Sequence, residues 1–343
     1  MNVERFNSIT GKYEKLKIAV LGDFCLDRYL EIDVSKTETS IETNLPVYNV
    51  TRVRSQPGAA GTILNNLVAL GVGSIIPIGM VGEDGEGFEL LRALAERPGV
   101  RLEHITKSPE VRTFTYCKPL LMHPGRAPEE LNRFDSKNWA TTPFKVQSRL
   151  AKSLRELAPQ IDALIIMDQV DVAETGVVTN LLLETTAELA RLFPKLLVVA
   201  DSRRGLSGFP SVVFKMNKTE LLRMSPASSE EEELTIEEIK TLTRRVSELH
   251  QNTVFVTLAE RGIVGVSKTG ETAYAATLPI RGEIDIVGAG DSVTANLTAS
   301  LSAGASLQEA GLIAMAAASE VIHQLGTTGT ATPDQIAKRL GTD

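Results

Sequence analysis

The stretch "IDALIIMDQVDVAETGVVTNLLLETTAELARLFPKLLVVAD", residues 161–201, decides the fold. Two short apolar runs, "IDALIIMD" and "KLLVVAD", each close on an aspartate and flank "GVVTNLLLETTAELARLF", which is long enough for a helix and too long for an ordinary strand. Near-continuous apolar strands separated by helices are what a parallel sheet covered on both faces requires. The same reading extends outward in both directions. "FKVQSRLAKSLREL" puts Val146, Leu150, Leu154 and Leu157 at helical spacing. "KIAVLGD" (17–23), "SIIPIGMVG", "SVVFKMN" and "NTVFVTL" read as further buried strands, and "EEELTIEEIKTLTRRVSELHQ" as a helix whose acidic run Glu230–Glu233 favours its N-terminal turn. "GAAGTILNNLVALG" (58–71) reads as a helix with Ile63, Leu67 and Leu70 on one face, and "FELLRALAERPG" as a short helix ended by Pro-Gly. Two segments break the pattern. Tyr29 to Ser55, including "PVYNVTRVRS", alternates polar and apolar residues as exposed antiparallel strands do, and residues 110–136 read as strand and loop with "HPGRAPEE" as a turn.

Bulk composition narrows the function classes. The chain has 343 residues, 43% hydrophobic and 23% charged, enough for one large α/β domain or two smaller ones. No apolar run approaches the roughly 18 residues of a membrane span, and the opening "MNVERFNSITGKYEKLK" lacks the apolar core of a signal peptide. Two unpaired cysteines, Cys25 and Cys117, argue against a disulfide framework or a Cys-based zinc site, so the expected compartment is the reducing cytoplasm. A net charge of −7 argues against a nucleic-acid footprint while leaving room for a locally positive site that takes a small anion.

In doubly wound sheets ligands bind beyond the carboxyl ends of strands, at helix N-termini. The residues so placed are Asp23, Asp27, Asp168, Asp201, Asn217 and the segment "EIDIVGAGDSVTANLTASLSAG" (283–304). There, Gly288, Ala289 and Gly290 run into Asp291 at a helix start. Small residues admit close backbone approach, free N–H groups attract an anion, and a carboxylate beside them suits phosphoryl transfer. A plain Gly-rich turn with Asp291 as its cap fits those four residues equally well. Other phosphate motifs are missing: Gly11-Lys12 is followed by Tyr13, so it is no Walker loop; Gly22 stands alone after the first strand; "GMVGEDGEG" (79–87) has the wrong spacing. There is no G-x-S-x-G elbow, and His104, His123, His250 and His323 are scattered without metal spacing.

Taken in order, "GDFCLD", "GAAGTILNNLVALG", "GMVGEDGEG", "NKTE" and "DIVGAGD" resemble the ribokinase-like (PfkB) family of carbohydrate kinases over roughly Lys17 to Pro333, and "VLGDFCLDRY", "LNRFD" and "QLGTTGTATP" are most similar to the kinases of bacterial ADP-heptose synthesis. No H-x-G-H motif follows, so the nucleotidyltransferase domain sometimes fused to such kinases is expected to be absent. The resemblance implies an α/β, ribokinase-like three-layer sandwich, a single domain over residues 1–343 with a central mostly parallel sheet and a small β-strand lid formed by segments 29–56 and 110–136. It implies ATP and Mg²⁺ as cofactors, with a monovalent cation such as K⁺ beside the anion hole, and a sugar or sugar-phosphate acceptor. Asp291 would be the general base, and the backbone of Gly288, Ala289 and Gly290 the anion hole. Asn217, Lys218, Thr219 and Glu220 would meet the nucleotide phosphates, with Glu220 reaching Mg²⁺ through water. Thr257, Gly262 and His323 would line the nucleotide pocket. Asp27, Gly58, Ala59, Thr62, Asn66 and Arg133 would serve the acceptor, and an open lid edge would support a homodimer.

The chain departs from the family pattern mainly at the acceptor end. The usual G-G-A-A-N-V-A-x-N reads Gly58-Ala59-Ala60-Gly61-Thr62-Ile63-Leu64-Asn65-Asn66, Ala259 stands where a second glycine is usual, Val293 replaces a frequent aromatic, and "MDQVD" offers Asp171 where the heptose kinases commonly carry lysine. Lys118, Arg133 and Arg203 are the candidates to hold an acceptor phosphate. The phosphate-end residues are better kept than the acceptor-end residues, which fits a kinase with an altered acceptor. The competing expectations are a non-catalytic nucleotide- or sugar-binding relative and a nucleoside or vitamin kinase on the same fold.

Overall fold

In the computed structural model, which describes residues 1–225 and 234–341, the apolar runs form strands buried on both faces. The expected effect of Glu230–Glu233 lies outside the described residues. Helix α1 (Val3–Thr10) precedes β1 (Lys17–Gly22); after Asp23 the chain enters β2 (Phe24–Asp33), a small hairpin of β3 (Glu38–Thr39) and β4 (Pro46–Val47), and β5 (Val50–Ala59), which runs straight into α2 (Ala60–Ala69). Next come β6 (Ser74–Gly82), α3 (Gly85–Ala95), β7 (Ile105–Ser108), β8 (Phe114–Met122), β9 (Glu129–Glu130) and β10 (Phe134–Ser136). The regular half follows with α4 (Phe144–Leu157), β11 (Ala163–Asp168), α5 (Asn180–Leu192), β12 (Leu197–Ser202), β13 (Val213–Asn217), α6 (Lys218–Met224), α7 (Ile236–His250), β14 (Val254–Thr257), β15 (Ile263–Val266) and β16 (Thr272–Ala275). Three helices close the described chain: α8 (Ala289–Ser302), α9 (Leu307–Val321) and α10 (Pro333–Leu340).

Among the described residues the main sheet has nine strands in the order β16-β15-β14-β13-β12-β11-β1-β6-β7. It is parallel from β7 to β14 and antiparallel at β14–β15–β16. The strand order reverses between β1 and β11, so a crevice opens beside their carboxyl ends. One face of β1 and β11 (Ala19, Leu21, Leu164, Ile166) belongs to a core shared with Leu150 and Leu154 of α4 and Leu182 of α5, which continues to Ile239 and Val246 of α7 under β14 and β15. The other face (Ile18, Val20, Ala163, Ile165) packs on Ile63 and Leu67 of α2, Ala295 and Ala299 of α8, and Ile313 and Ala317 of α9. This is the expected three-layer α/β sandwich. A separate small sheet, ordered β10-β8-β2-β5 with β9 on β8, comes from the two segments that broke the helix–strand alternation.

Several local expectations needed correction. The helix read at 58–71 begins only at Ala60; Gly58 and Ala59 end β5, paired with Cys25 and Phe24. Helix α3 starts earlier than expected, because Asp84 caps it by accepting the Gly87 N–H and so recruits the glycines of "GMVGEDGEG" into a helix start. The antiparallel edge strands β15 and β16 were not anticipated, since the regular alternation ends at β14. Ala59 and Ala259, both standing where glycine is usual in the resembled pattern, have φ of 52° and 50°. Backbone geometry is kept there although the side chain is not glycine.

Ala59, at φ 52° and ψ −116°, is strained in a region that favours glycine, a state that costs of order 1–3 kcal/mol. Glycine would relieve that strain while adding roughly 0.4–1 kcal/mol of unfolded-state entropy. Ala59→Gly is therefore expected to stabilise the protein by about 1 kcal/mol, seen as a higher urea midpoint at unchanged slope; a lower midpoint would show that the turn carries no strain.

Candidate active site

Helix α8 begins at Gly288, whose φ of 82° is left-handed, and no side chain caps its first turn. Asp285 holds the approach to this turn by accepting N–H groups from Val287 and Gly326. The Ala289 N–H turns back to the Ile286 carbonyl at 3.2 Å, and the N–H groups of Gly290 and Asp291 that follow stand at the uncapped start of this 14-residue helix, with its partial positive charge. Beneath them lies Lys215, buried near the end of β13, its Nζ 2.8 Å from Asp201 Oδ2. A Cβ on Gly290 would sit 3.2 Å from that Nζ, so the glycine leaves the lysine open to the turn. Asp201 also accepts from Thr294 of α8 at 2.9 Å, which fixes the helix to the sheet. Burial penalises the charged lysine, but Asp201, Asp291 and Glu220 outweigh it and raise its pKa. Asp291, in the first turn, is pushed up to about 7 by burial and then by the Asp201 charge, with Lys215 pulling the other way.

Asn217 and Glu220 form a reciprocal capping box at the start of α6: Asn217 Oδ1 accepts the Glu220 N–H at 2.9 Å, and Glu220 Oε2 accepts the Asn217 N–H at 2.7 Å. Glu220 thus has a local structural role, and burial raises its pKa beside Asp201. Lys218 and Thr219 occupy the first two positions of the same helix, half-buried and exposed respectively. Thr257 ends β14 next to Asn217, its hydroxyl bonded to the Met216 carbonyl at 3.3 Å. Gly262, at φ 100°, is required by packing, since a Cβ there would meet the Ala275 carbonyl at 2.1 Å. His323 accepts the Arg281 N–H at Nε2 and bonds the Ser319 carbonyl through Nδ1, so it ties the loop before α8 to α9.

At the acceptor end, Asp27 of β2 is buried, and burial raises its pKa against the pull of Lys118 and Arg133. Gly58 makes room for it: a Cβ would meet Asp27 Oδ2 at 2.5 Å and Cys25 Sγ at 2.8 Å. The charges of Asp27 and Asp291 bear on each other, and both raise the Cys25 thiol after burial. Thr62 is buried with its methyl against Gly288, about where a Cβ on that glycine would lie 3.4 Å away. Asn66 is fully buried and bonds the Thr62 and Gly329 carbonyls, so it holds the 327–329 loop and does not face the cleft. Arg133 lies over the Tyr116 ring at 5.0 Å and pairs with Asp135 at 3.1 Å. The other expected phosphate holders are paired too: Lys118 lies 3.6 Å from Asp27, and Arg203 3.3 Å from Asp171.

Two features were not read from the sequence. Lys215 could have been noticed as the one charged residue inside "SVVFKMN", two positions before Asn217. The second feature is a buried carboxylate pair. Asp23 accepts the Gln169 and Val177 N–H groups at 2.9 and 2.7 Å, which clamps the loop between β11 and α5. Asp168 accepts from Ser202 and Arg204, both at 2.7 Å. Burial, then the Asp168 charge, pushes Asp23 up to about 7.

A carboxylate beside an uncapped helix start, with a lysine under it at the carboxyl ends of a doubly wound sheet, makes an anion-binding site with a proton acceptor at its edge. Comparison with known proteins narrows the class. Residues 203–335 match the model described as "pfkB family carbohydrate kinase". The chain is 26% identical over 337 residues to the "Bifunctional protein HldE" of Bradyrhizobium sp. (strain ORS 278), covering 98% of this chain and 66% of that one. It is 28% identical over 328 residues to the HldE of Gluconobacter oxydans (strain 621H), covering 94% and 64%. The chain thus spans just under two thirds of the length of these curated relatives. Its fold matches that of Arabidopsis thaliana ribokinase complexed with ribose and ATP (TM-score 0.67, 18% identity, 95% of this chain and 98% of that one). It matches Escherichia coli phosphofructokinase-2 in complex with fructose-6-phosphate equally well (TM-score 0.67, 19% identity, 95% and 98%). The chain thus has a ribokinase-like fold, and its residues 203–335 match the PfkB carbohydrate kinase family.

Lys215→Met should weaken binding of a nucleoside triphosphate at least tenfold, because a charge-assisted hydrogen bond is worth roughly 1.5–3 kcal/mol, whereas Lys215→Arg should keep most of it. Calorimetric titration of the folded variants checks this; equal affinity in Lys215→Met would place the phosphates elsewhere.

Proposed function

We propose that the protein transfers the γ-phosphate of Mg·ATP to a hydroxyl of a sugar or sugar phosphate, with Asp291 as general base. The observation that carries this reading is the half-buried Asp291 carboxylate in the first turn of an uncapped helix, over the amino group of Lys215. The fit to a polyphosphate rests on three features: the uncapped helix start after Gly288, the lysine that a glycine at 290 leaves open, and Asn217 and Glu220 at the next helix start. Glu220 would hold Mg²⁺ through water beside Asn217, and the bound ion would supply positive charge that offsets that of the phosphates.

In this reading Asp27 accepts hydrogen bonds from acceptor hydroxyls and orients one of them toward Asp291. Asp291 takes the proton as that hydroxyl oxygen forms its bond to the γ-phosphorus and the bond to the bridging oxygen of the departing ADP breaks. The α8 N–H groups and Lys215 hold the charge that spreads over the transferring group, and the proton then leaves Asp291 for solvent. Thr257, Gly262 and His323 belong to the nucleotide side. The small sheet acts as a lid that excludes water over the acceptor. Its edge strand β5, ten residues long with Val50 and Val53 exposed, would pair two copies into a homodimer.

Asp291→Asn should lower acceptor-dependent ADP release by on the order of 10²–10⁴ while leaving Mg·ATP affinity within a few-fold. Release measured across sugars, sugar phosphates and nucleosides checks this, and a variant with wild-type turnover would remove Asp291 from the role.

A further inference from the structure

Gln56 of β5 stands directly opposite Asp27 of β2 in the small sheet, so the two side chains share one face with their Cβ atoms about 5 Å apart. The Gln56 side chain leaves that sheet and crosses to the loop between α9 and α10. Its Nε2 donates to Thr328 Oγ1 at 3.0 Å, and its Oε1 accepts from Thr327 Oγ1 at 3.1 Å. All three residues are half-buried. Whichever way the amide is turned, it offers one donor and one acceptor to two hydroxyls that rotate to match. A carboxylate would offer no donor, and an aliphatic chain neither.

The far side of the same loop carries the turn that starts α8. Gly326 N–H donates to Asp285 Oδ2 at 3.2 Å, while Asp285 Oδ1 takes the Val287 N–H at 3.0 Å. Thr328 packs on Gly288 itself: a Cβ on that glycine would lie 3.3 Å from the Thr328 Cβ. Two further contacts fix the loop's shape. Asn66 of α2 donates to the Gly329 carbonyl at 3.4 Å, and Gln324, just past α9, bonds the Thr330 carbonyl and N–H at 2.7 and 3.1 Å. Residues 326–329 therefore behave as one piece, with β5 on one side and the phosphate turn on the other.

We propose that Gln56 is a positioning residue that couples the two ends of the site: through Thr327 and Thr328 it ties β2 and β5, which carry Asp27, to the turn at 285–288. The inference rests on the kinase reading above for what fills the two ends. Its consequence is that order at the acceptor strands favours order at the phosphate turn. A site completed only when both ends are filled protects the γ-phosphate from transfer to water. Coupling between two binding sites is reciprocal, so nucleotide alone must stabilise the acceptor strands, and no acceptor is needed to measure it.

Hydrogen exchange, followed by peptide mass spectrometry with and without the non-hydrolysable analogue Mg·AMP-PNP, tests this. In wild-type protein the analogue should slow exchange at least about fivefold at residues 285–291 and also in β2 and β5. Gln56→Leu and the double variant Thr327→Val/Thr328→Val should keep the slowing at 285–291 and lose it in β2 and β5. Thr327→Ser/Thr328→Ser, which retains both hydroxyls, should behave as wild type, with circular dichroism confirming each fold. A general loss of stability would raise exchange with and without nucleotide and would not remove the nucleotide-dependent difference from one sheet alone. Slowing confined to 285–291 in wild type, or slowing in β2 and β5 that survives in the Leu and Val variants, overturns the coupling and leaves the kinase reading standing. An analogue that does not bind, or that binds without slowing exchange at 285–291, overturns the phosphate placement and the coupling with it.

Discussion

A lysine buried at the carboxyl end of the sheet is the constraint on which the rest of the site depends. Removing an ammonium from water costs several kcal/mol unless a partner compensates, and Lys215 has Asp201 at 2.8 Å on the neighbouring strand. Asp201 in turn takes the Thr294 hydroxyl, so one carboxylate satisfies the lysine and anchors the helix that starts above it. Because that helix starts uncapped, its N–H groups and Lys215 present positive charge to the same point. Asp291 stands beside them, raised toward neutrality by burial and by Asp201, where a carboxylate can exchange a proton near physiological pH.

The acceptor end is built on different principles. Asp23 spends its carboxylate on backbone N–H groups of the loop that follows β11, so the wall of the cleft is held by the first strand of the sheet. Cations there are matched by acids one for one or two for one, whereas at the phosphate end helix N–H groups add positive charge to the Lys215–Asp201 pair. The two ends therefore differ in charge: positive at α8, balanced beside β8.

Much of this was legible in the sequence, for reasons that differ by element. Strands buried on both faces announce themselves as apolar runs ended by aspartate, which made β1, β11 and β12 readable, and the amphipathic stripe of α4 has the same bounds in both readings. The small-residue turn and Asp291 were readable because close approach to a phosphate restricts residue type. The boundary at Ala60 was not, since Gly58 and Ala59 lie in extended and left-handed backbone that only the pairing with β2 dictates. Strands β15 and β16 escaped notice because each is four residues long at an edge, too short for periodicity to speak. Lys215 escaped because a charged residue in an apolar strand reads as a surface position until its partner, 14 residues earlier, is brought beside it. The pairing of Lys118, Arg133 and Arg203 with acids is likewise tertiary and cannot be seen in spacing.

The most direct test of the account is the pH dependence of acceptor-dependent turnover, kcat/KM for the acceptor at saturating Mg·ATP, between pH 5 and 9. A base must be ionised to accept a proton, and Asp291 is ionised only above its raised pKa of about 7. The account predicts a plateau above about pH 7 and a fall of one decade per pH unit below it, with one proton involved. A profile that is flat from pH 5 upward, or that rises toward acid, would contradict Asp291 as the base and with it the mechanism built on the buried lysine.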